Sequence, residues 1–145
     1  MVQLIVGNKG KGKTKELLDK VNSEVKEISG NIVYLDKSSQ HMYELNNKVR
    51  LIDVSQCCIE NSSEFIGFVC GIMSQDHDLQ QMYFDSFLKI SRLENGGAVN
   101  HDALTAAIEK LEKLSRNFEV DFVLSISMDE AELPAGLKEK ILIAL

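Results

Sequence analysis

The chain has 145 residues, 44% of them hydrophobic and 26% charged, with a formal net charge of −6 at pH 7. These proportions are typical of an ordinary soluble globular protein, and the length suits a single domain covering residues 1–145. The acidic balance argues against nucleic acid as a partner, because a phosphate backbone calls for a basic surface.

No apolar run approaches the roughly 18 residues of a membrane-spanning helix, so no membrane association is expected. The chain begins with a strand pattern rather than a signal peptide. Cys57, Cys58 and Cys70 are an odd number of cysteines without C-x-x-C spacing. Reduced thiols in a cytoplasmic protein fit this pattern, and a zinc site does not.

The first element is a short apolar run with β-branched residues, Val2–Val6, which predicts a buried strand. It leads directly into Gly7–Thr14, reading GNKGKGKT, an unbroken match to G-x-x-x-x-G-K-[ST]. A helix from about Gly12 to Ser29 should follow. Its apolar residues recur at helical spacing: Leu17, Leu18, Val21, Val25 and Ile28.

A loop of this composition suits a polyphosphate. Gly7, Gly10 and Gly12 let main-chain N–H groups converge on an anion, and the helix N-terminus adds its partial positive charge. Lys13 would reach the β- and γ-phosphates, and the Thr14 hydroxyl would ligate Mg²⁺. The sequence therefore predicts a nucleotide site.

The motif resembles the phosphate-binding loop of the P-loop NTPases. The resemblance implies ATP, by prevalence, with Mg²⁺, although no base-selecting motif distinguishes adenine from guanine. Lys9 and Lys11 are additional positive charges, either near the phosphates or in solvent. The expected nucleotide-binding residues are Gly7, Asn8, Lys9, Gly10, Lys11, Gly12, Lys13 and Thr14.

A second strand is predicted at Ile32–Leu35, so that Asp36 lies at its carboxyl end, where open α/β sheets bind ligands. Asp36 could act as a base, position a water, or be an ordinary strand-end residue. A third strand is expected within Val49–Val54, and Ser62 can cap the helix that follows. Asp76-His77-Asp78 has metal-binding residue types, but adjacent side chains of an extended segment point apart, so a solvated loop is expected.

Met82–Asp85 is an apolar run ending in aspartate. It resembles the run that P-loop enzymes place on the strand beside the loop-bearing strand, where the carboxylate accepts a hydrogen bond from a Mg²⁺-bound water or from the Thr14 hydroxyl. Asp85 and Thr14 are thus the expected metal-side residues. The competitors are Asp129, which follows the strand pattern Val120–Met128, and Asp53.

Many P-loop hydrolases carry a water-polarising glutamate directly after that aspartate, but here the next residue is Ser86. Another carboxylate, Asp36 or Glu130, could take this role. The expected catalytic residues are therefore Lys13, Asp85 and Asp36. Near the chain's end, Ser125 and Ser127 could meet the γ-phosphate or be structural.

A turn is expected at Leu93–Gly97, followed by a helix beginning at Asn100 or Asp102. Ile141–Leu145 is either the end of a last helix or a short strand. The predicted architecture is an α/β, three-layer sandwich around a mostly parallel sheet of about five strands. The loop-bearing strand should lie centrally, with the strands of Asp85 and of Val120–Ser127 near it.

Further strands separate the loop-bearing strand from the Asp85 strand, and this arrangement resembles that of the RecA-like branch of the P-loop NTPases. The chain also resembles small bacterial ATP-binding proteins, some of them labelled as related to twitching motility. The resemblance implies Mg·ATP binding with slow hydrolysis, as an ATPase or nucleotide switch. The alternatives are a nucleoside-type kinase with Asp36 as base, and a catalytically degenerate ATP-binding interaction protein. A homo-oligomer or another protein partner could supply an arginine such as Arg50, Arg92 or Arg116.

Overall fold

The computed structural model describes residues 1–145. Eight strands and four helices follow one another along the chain. They are β1 (Val2–Gly7), α1 (Lys13–Glu24), β2 (Asn31–Asp36), β3 (Val49–Asp53), α2 (Ser62–Gln75), β4 (Leu79–Phe84), α3 (Phe87–Ile90), β5 (Glu94–Asn95), β6 (Ala98–Val99), α4 (His101–Phe118), β7 (Asp121–Ser127) and β8 (Ile141–Ala144).

Six of the strands form one sheet in the order β3-β2-β4-β7-β1-β8, and every pairing in it is parallel. The expected sheet of about five strands gains its sixth from β8, so Ile141–Ala144 forms a strand and not the end of a helix. The Leu145 N–H extends this pairing by donating to the Val6 carbonyl at 2.9 Å. The expectation of a central loop-bearing strand is wrong, because only β8 lies outside β1.

The sheet is covered on both faces, which makes three layers. Leu4, Met82 and Phe84 belong to a cluster of 28 buried residues that also contains the apolar faces of α2 and α4. Their neighbours Ile5 and Tyr83 point to the other face, into a cluster of 9 buried residues shared with α1. The alternation follows from the period-2 pleat of each strand. None of the helices combines the length and apolar composition needed to cross a membrane.

Helix ends differ in detail from the sequence expectation. α1 ends at Glu24 rather than Ser29, and turns follow it. The cap of α2 is Asn61, not Ser62: its Oδ1 accepts from the Glu64 N–H at 2.9 Å. Asn100 caps α4 in the same way. Asparagine provides the same short acceptor as serine, so residue type alone does not settle which of two neighbours caps a helix.

Because all six strands run parallel, their carboxyl ends meet at one edge of the sheet. The glycine-rich loop follows β1 there, Asp36 closes β2, and Asp85 follows β4. Ser127 closes β7, the strand between β4 and β1. Side chains that are far apart in the sequence are thus brought to one place.

Candidate functional site

The glycine-rich loop turns from β1 into α1 through two left-handed residues. Gly10 has φ +82° and Gly12 has φ +94°. A Cβ atom at either position would meet no neighbour within 4 Å, so space is not the constraint. The constraint is the left-handed backbone conformation, because residues other than glycine rarely adopt it. Gly12 directly precedes Lys13, the first residue of α1, so the turn leaves the helix N-terminus facing the loop.

Lys13 is folded into this loop and only 8% exposed. Its Nζ donates to the Asn8 carbonyl oxygen at 3.1 Å. Burial lowers the pKa of the Lys13 ammonium; nearby Asp85 opposes this effect and Lys9 adds to it. A single neutral carbonyl is a weak partner for a buried cation, and an anion entering the loop could replace it.

Asp85 is 2% exposed and accepts hydrogen bonds from three hydroxyl groups. Thr14 Oγ1 and Ser125 Oγ each donate to Asp85 Oδ1 at 3.1 Å. Tyr34 Oη donates to Oδ2 at 2.8 Å. Burial, and then the adjacent Asp85 charge, raise the pKa of Tyr34, so its hydroxyl remains a donor. The carboxylate is held at the start of α1 by neutral donors, with no lysine or arginine paired to it.

The backbone on each side of this carboxylate is fixed as well. The Asp85 N–H donates to the Leu35 carbonyl of β2 at 2.8 Å. The next N–H, that of Ser86, donates to Ser125 Oγ of β7 at 2.9 Å. Ser86 has φ +56°, a conformation that costs a residue with a side chain about 1–2 kcal/mol. The turn after β4 is therefore held by both neighbouring strands.

A cavity of about 530 Å³ opens between the loop and this turn. Of the eight predicted loop residues, five line it: Lys9, Gly10, Gly12, Lys13 and Thr14. The other lining residues are Lys37, Asp85, Ser86, Leu88, Lys89, Glu94, Ser125 and Ser127. Gly7, Asn8 and Lys11 do not line it. At Gly7 a Cβ would lie 3.1 Å from the Leu145 Cβ, so glycine there permits close approach of the chain after β8.

Four of the lining residues are lysines: Lys9, Lys13, Lys37 and Lys89. None of them forms an ion pair. Repulsion from Lys37, and next from Lys9, lowers the pKa of Lys89. A chain with a net charge of −6 thus concentrates unpaired positive charge around one cavity.

The other candidate carboxylates lie outside this cavity. Asp129 Oδ2 accepts from the Ala131 N–H and caps a short turn, in which Glu130 is exposed. Asp53, on the edge strand β3, accepts from the Ser55 N–H and hydroxyl. Only Asp85 is hydrogen-bonded to Thr14.

Asp36 lies next to the site but does not line the cavity. It is 1% exposed, and its Oδ1 accepts from the Lys37 N–H at 2.7 Å. Its Oδ2 is buried without a hydrogen-bond partner. Burial, and then the neighbouring Asp85 charge, raise the pKa of Asp36 to about 6.

Five residues of the site were not predicted from the sequence: Tyr34, Lys37, Leu88, Lys89 and Glu94. Lys37 follows the second strand directly, so the strand-end rule that selected Asp36 could have selected it too. Tyr34 and Lys89 carry no such signal, because a strand tyrosine and a helix lysine are ordinary residues. A second cavity of about 230 Å³ shares Lys37 and Lys89 and is also lined by Arg92.

No protein-family model matches the chain, and no curated protein matches it either.

Proposed function

We propose that this chain is a P-loop NTPase of the RecA-like branch, which binds Mg·ATP through Gly7–Thr14 and hydrolyses it slowly. The observation that carries the proposal is the cavity at the start of α1, where unpaired lysines surround the loop and Asp85 faces Thr14. The sheet order supports the same branch, because β7 separates β1 from β4, the strand that precedes Asp85.

The loop residues fit a polyphosphate. Gly10 and Gly12 have the left-handed conformations that a nest of main-chain N–H groups uses. Lys13 Nζ would exchange the Asn8 carbonyl for phosphate oxygens, which are stronger acceptors. Lys9, Lys37 and Lys89 would add positive charge around the same anion.

Thr14 and Asp85 fit a magnesium site. A hydroxyl and a carboxylate are the hard oxygen donors that Mg²⁺ prefers, and they lie beside the loop lysine. Mg²⁺ bound there would neutralise charge that develops on the β- and γ-phosphate oxygens. Ser125 would keep Asp85 oriented when Thr14 turns its hydroxyl toward the metal.

Slow turnover is expected because the residue directly after Asp85 is not a carboxylate, although Glu94 also lines the cavity. Ser86 stands where a carboxylate would polarise water, and Asp36, which could replace it, has no access to the cavity. Asp36 would reach an attacking water only after the end of β2 shifts. The segments after Asp36 and Asp85 are therefore the elements that nucleotide would order in a switch.

A thermal-shift panel of nucleotides with and without Mg²⁺ tests the proposal, since a ligand that binds only the folded chain stabilises it. At 100 times its Kd a ligand contributes about 2.7 kcal/mol, which raises Tm by roughly 5–10 °C for a chain of this length. We expect such a shift with ATP, larger with Mg²⁺ than without. No shift with any nucleoside triphosphate would refute the proposal.

The second cavity favours one other candidate, a small-molecule kinase, in which Asp36 would act as base only after the end of β2 shifts, because Asp36 does not line this cavity. Lys37, Lys89 and Arg92 line it beside the phosphate cavity, where an acceptor and a transferring phosphoryl group would need cations. Phosphate release with ATP alone, compared with transfer to a nucleoside panel, separates the hydrolase from the kinase. Binding without any turnover would select the degenerate binding protein.

A further inference from the structure

Three side chains of the types that can ligate a metal lie close together beside the cavity that Asp85 lines. One carboxylate oxygen of Asp36, one of Asp85 and a ring nitrogen of His41 all lie within 4.8 Å of one another. Asp36 closes β2, Asp85 follows the adjacent strand β4, and His41 precedes a short turn at Met42–Glu44. The sheet and the following loop together assemble this group from separate segments.

Asp36 is the member of the group that has a carboxylate oxygen without a hydrogen-bond partner. Its Oδ2 is buried and accepts no hydrogen bond, and neither Asp36 nor Asp85 is paired with a lysine or arginine. Both carboxylates are almost fully buried, at 1% and 2% exposure. Two buried carboxylates this close repel one another, and leaving such charges uncompensated is costly. A bound cation would remove both costs.

His41 is prepared for coordination by its other contact. Its Nδ1 lies 3.0 Å from Glu44 Oε2, so Nδ1 carries the hydrogen and donates it to the carboxylate. That tautomer leaves the lone pair on Nε2. Metal-binding histidines commonly donate their second ring nitrogen to a carboxylate in this way. The one hydrogen-bond partner of Nε2 is the exposed Gln40 side chain at 3.2 Å, which a cation could displace.

We propose that Asp36, Asp85 and His41 form a site for one divalent transition-metal ion, of the class of Mn²⁺ or Zn²⁺, that fills without nucleotide. Two carboxylate oxygens and one imidazole nitrogen are a donor set that suits these ions, whereas Mg²⁺ prefers oxygen alone. The site is separate from the magnesium position between Thr14 and the phosphates, although Asp85 borders both.

The test is a titration of nucleotide-free, EDTA-treated protein with Mn²⁺, in which free Mn²⁺ is followed by electron paramagnetic resonance. We expect one bound ion per chain. His41→Ala should weaken its affinity at least about tenfold, equivalent to about 1.4 kcal/mol. Asp36→Asn should do the same. Because His41 lies in a loop, its variant decides the question even if Asp36→Asn fails to fold.

His77→Ala is the matched control, because His77 lies between two aspartates in an exposed loop elsewhere on the chain. It should leave the Mn²⁺ affinity unchanged. Lys13→Ala separates this inference from nucleotide binding, since it should retain Mn²⁺ while losing ATP. The proposal is overturned if nucleotide-free protein binds no Mn²⁺, or if His41→Ala binds Mn²⁺ as tightly as the native chain does.

Discussion

Thr14 donates its hydroxyl hydrogen to Asp85 across 3.1 Å, although the two residues are 71 positions apart in the sequence. One belongs to the first turn of α1 and the other follows β4, and β7 lies between the strands that precede them. This contact joins the glycine-rich loop to a buried carboxylate.

Asp85→Asn should remove most of the effect of Mg²⁺ on ATP binding while leaving some binding. The variant keeps a side chain of similar shape but loses the charge that would hold Mg²⁺ in the proposed site. A hydrogen bond to a charged group contributes about 1.5–3 kcal/mol, so Mg·ATP affinity should fall roughly 10- to 150-fold. Thermal shift with ATP, with and without Mg²⁺, measures this. The matched variant is Asp129→Asn; if it shows the loss and Asp85→Asn does not, the magnesium-side aspartate is misassigned.

Lys89→Ala should change nucleotide affinity and stability in opposite directions. Lys37 and Lys9 repel Lys89 in the free protein, so its removal should raise Tm slightly. The same change removes a cation from the cavity and should weaken ATP binding by about three- to tenfold at low salt, less at high salt. Calorimetry at two salt concentrations measures the affinity. Lys110→Ala, on the exposed face of α4, should change neither quantity; equal effects in both variants would contradict a local role for Lys89.

Tyr34→Phe should destabilise the fold by about 1–3 kcal/mol, because it leaves Asp85 Oδ2 without a donor in a buried place. Tyr83→Phe is the comparison: the two rings stack at 6.4 Å, and Tyr83 Oη donates to Gln81 Oε1. Gln81 is half-buried, and its side chain can hydrogen-bond to water once the Tyr83 hydroxyl is removed. Tyr83→Phe should therefore destabilise the fold less than Tyr34→Phe does. Urea denaturation gives both values. A larger loss in Tyr83→Phe would show that the Tyr34 hydroxyl does not support Asp85.

Asp36→Asn should stabilise EDTA-treated protein at pH 7.5 but not at pH 4. The folded chain raises the pKa of Asp36 from 3.8 to about 6, so it binds a proton more tightly than the unfolded chain does. The stability contributed by that proton is therefore present below pH 4 and is lost as the pH rises to 6 and above. This pKa shift corresponds to a loss of at most about 3 kcal/mol of folding stability at high pH. Asparagine is neutral at every pH, so Asp36→Asn does not undergo this loss.

Urea denaturation of Asp36→Asn and of the native chain at both pH values measures this difference. Asp53→Asn is a suitable control, because Asp53 pairs with Asp36 in register on β3 but is half-buried and hydrogen-bonded to Ser55. An equal stability difference for Asp36→Asn at pH 4 and pH 7.5 would show that Asp36 is not the titrating group.

Much of the sheet could be predicted because its strands are continuous apolar runs. Ile32–Leu35 and Val120–Met128 were expected as strands, and both occur, with ends shifted by one residue. The loop and Asp85 could be predicted together, because strand ends in a parallel sheet meet at one edge. The position of β1, next to the edge strand β8, could not be predicted. The β8 segment, Ile141–Ala144, is too short for periodicity to distinguish a strand from a helix end.

The remaining site residues depend on contacts that no local pattern encodes. Lys89 lies on the short helix α3, which follows Asp85, and lines the same cavity. His41 meets Asp36 and Asp85 only through the loop that follows β2. Lys9 and Lys11 are two positions apart in one loop, yet only Lys9 lines the cavity. Side-chain direction within a loop depends on its backbone conformation, which residue type leaves open.

Calorimetric titration of Mg·ATP into the native chain, Lys13→Ala and Lys11→Ala tests the claim that the amino-terminal loop holds a polyphosphate. Lys11 is the matched control, an exposed lysine of the same loop that does not line the cavity. We expect one site in the native chain, an undiminished site in Lys11→Ala, and a loss of affinity beyond about tenfold in Lys13→Ala with an unchanged circular dichroism melt. Undiminished ATP affinity in folded Lys13→Ala would contradict the claim.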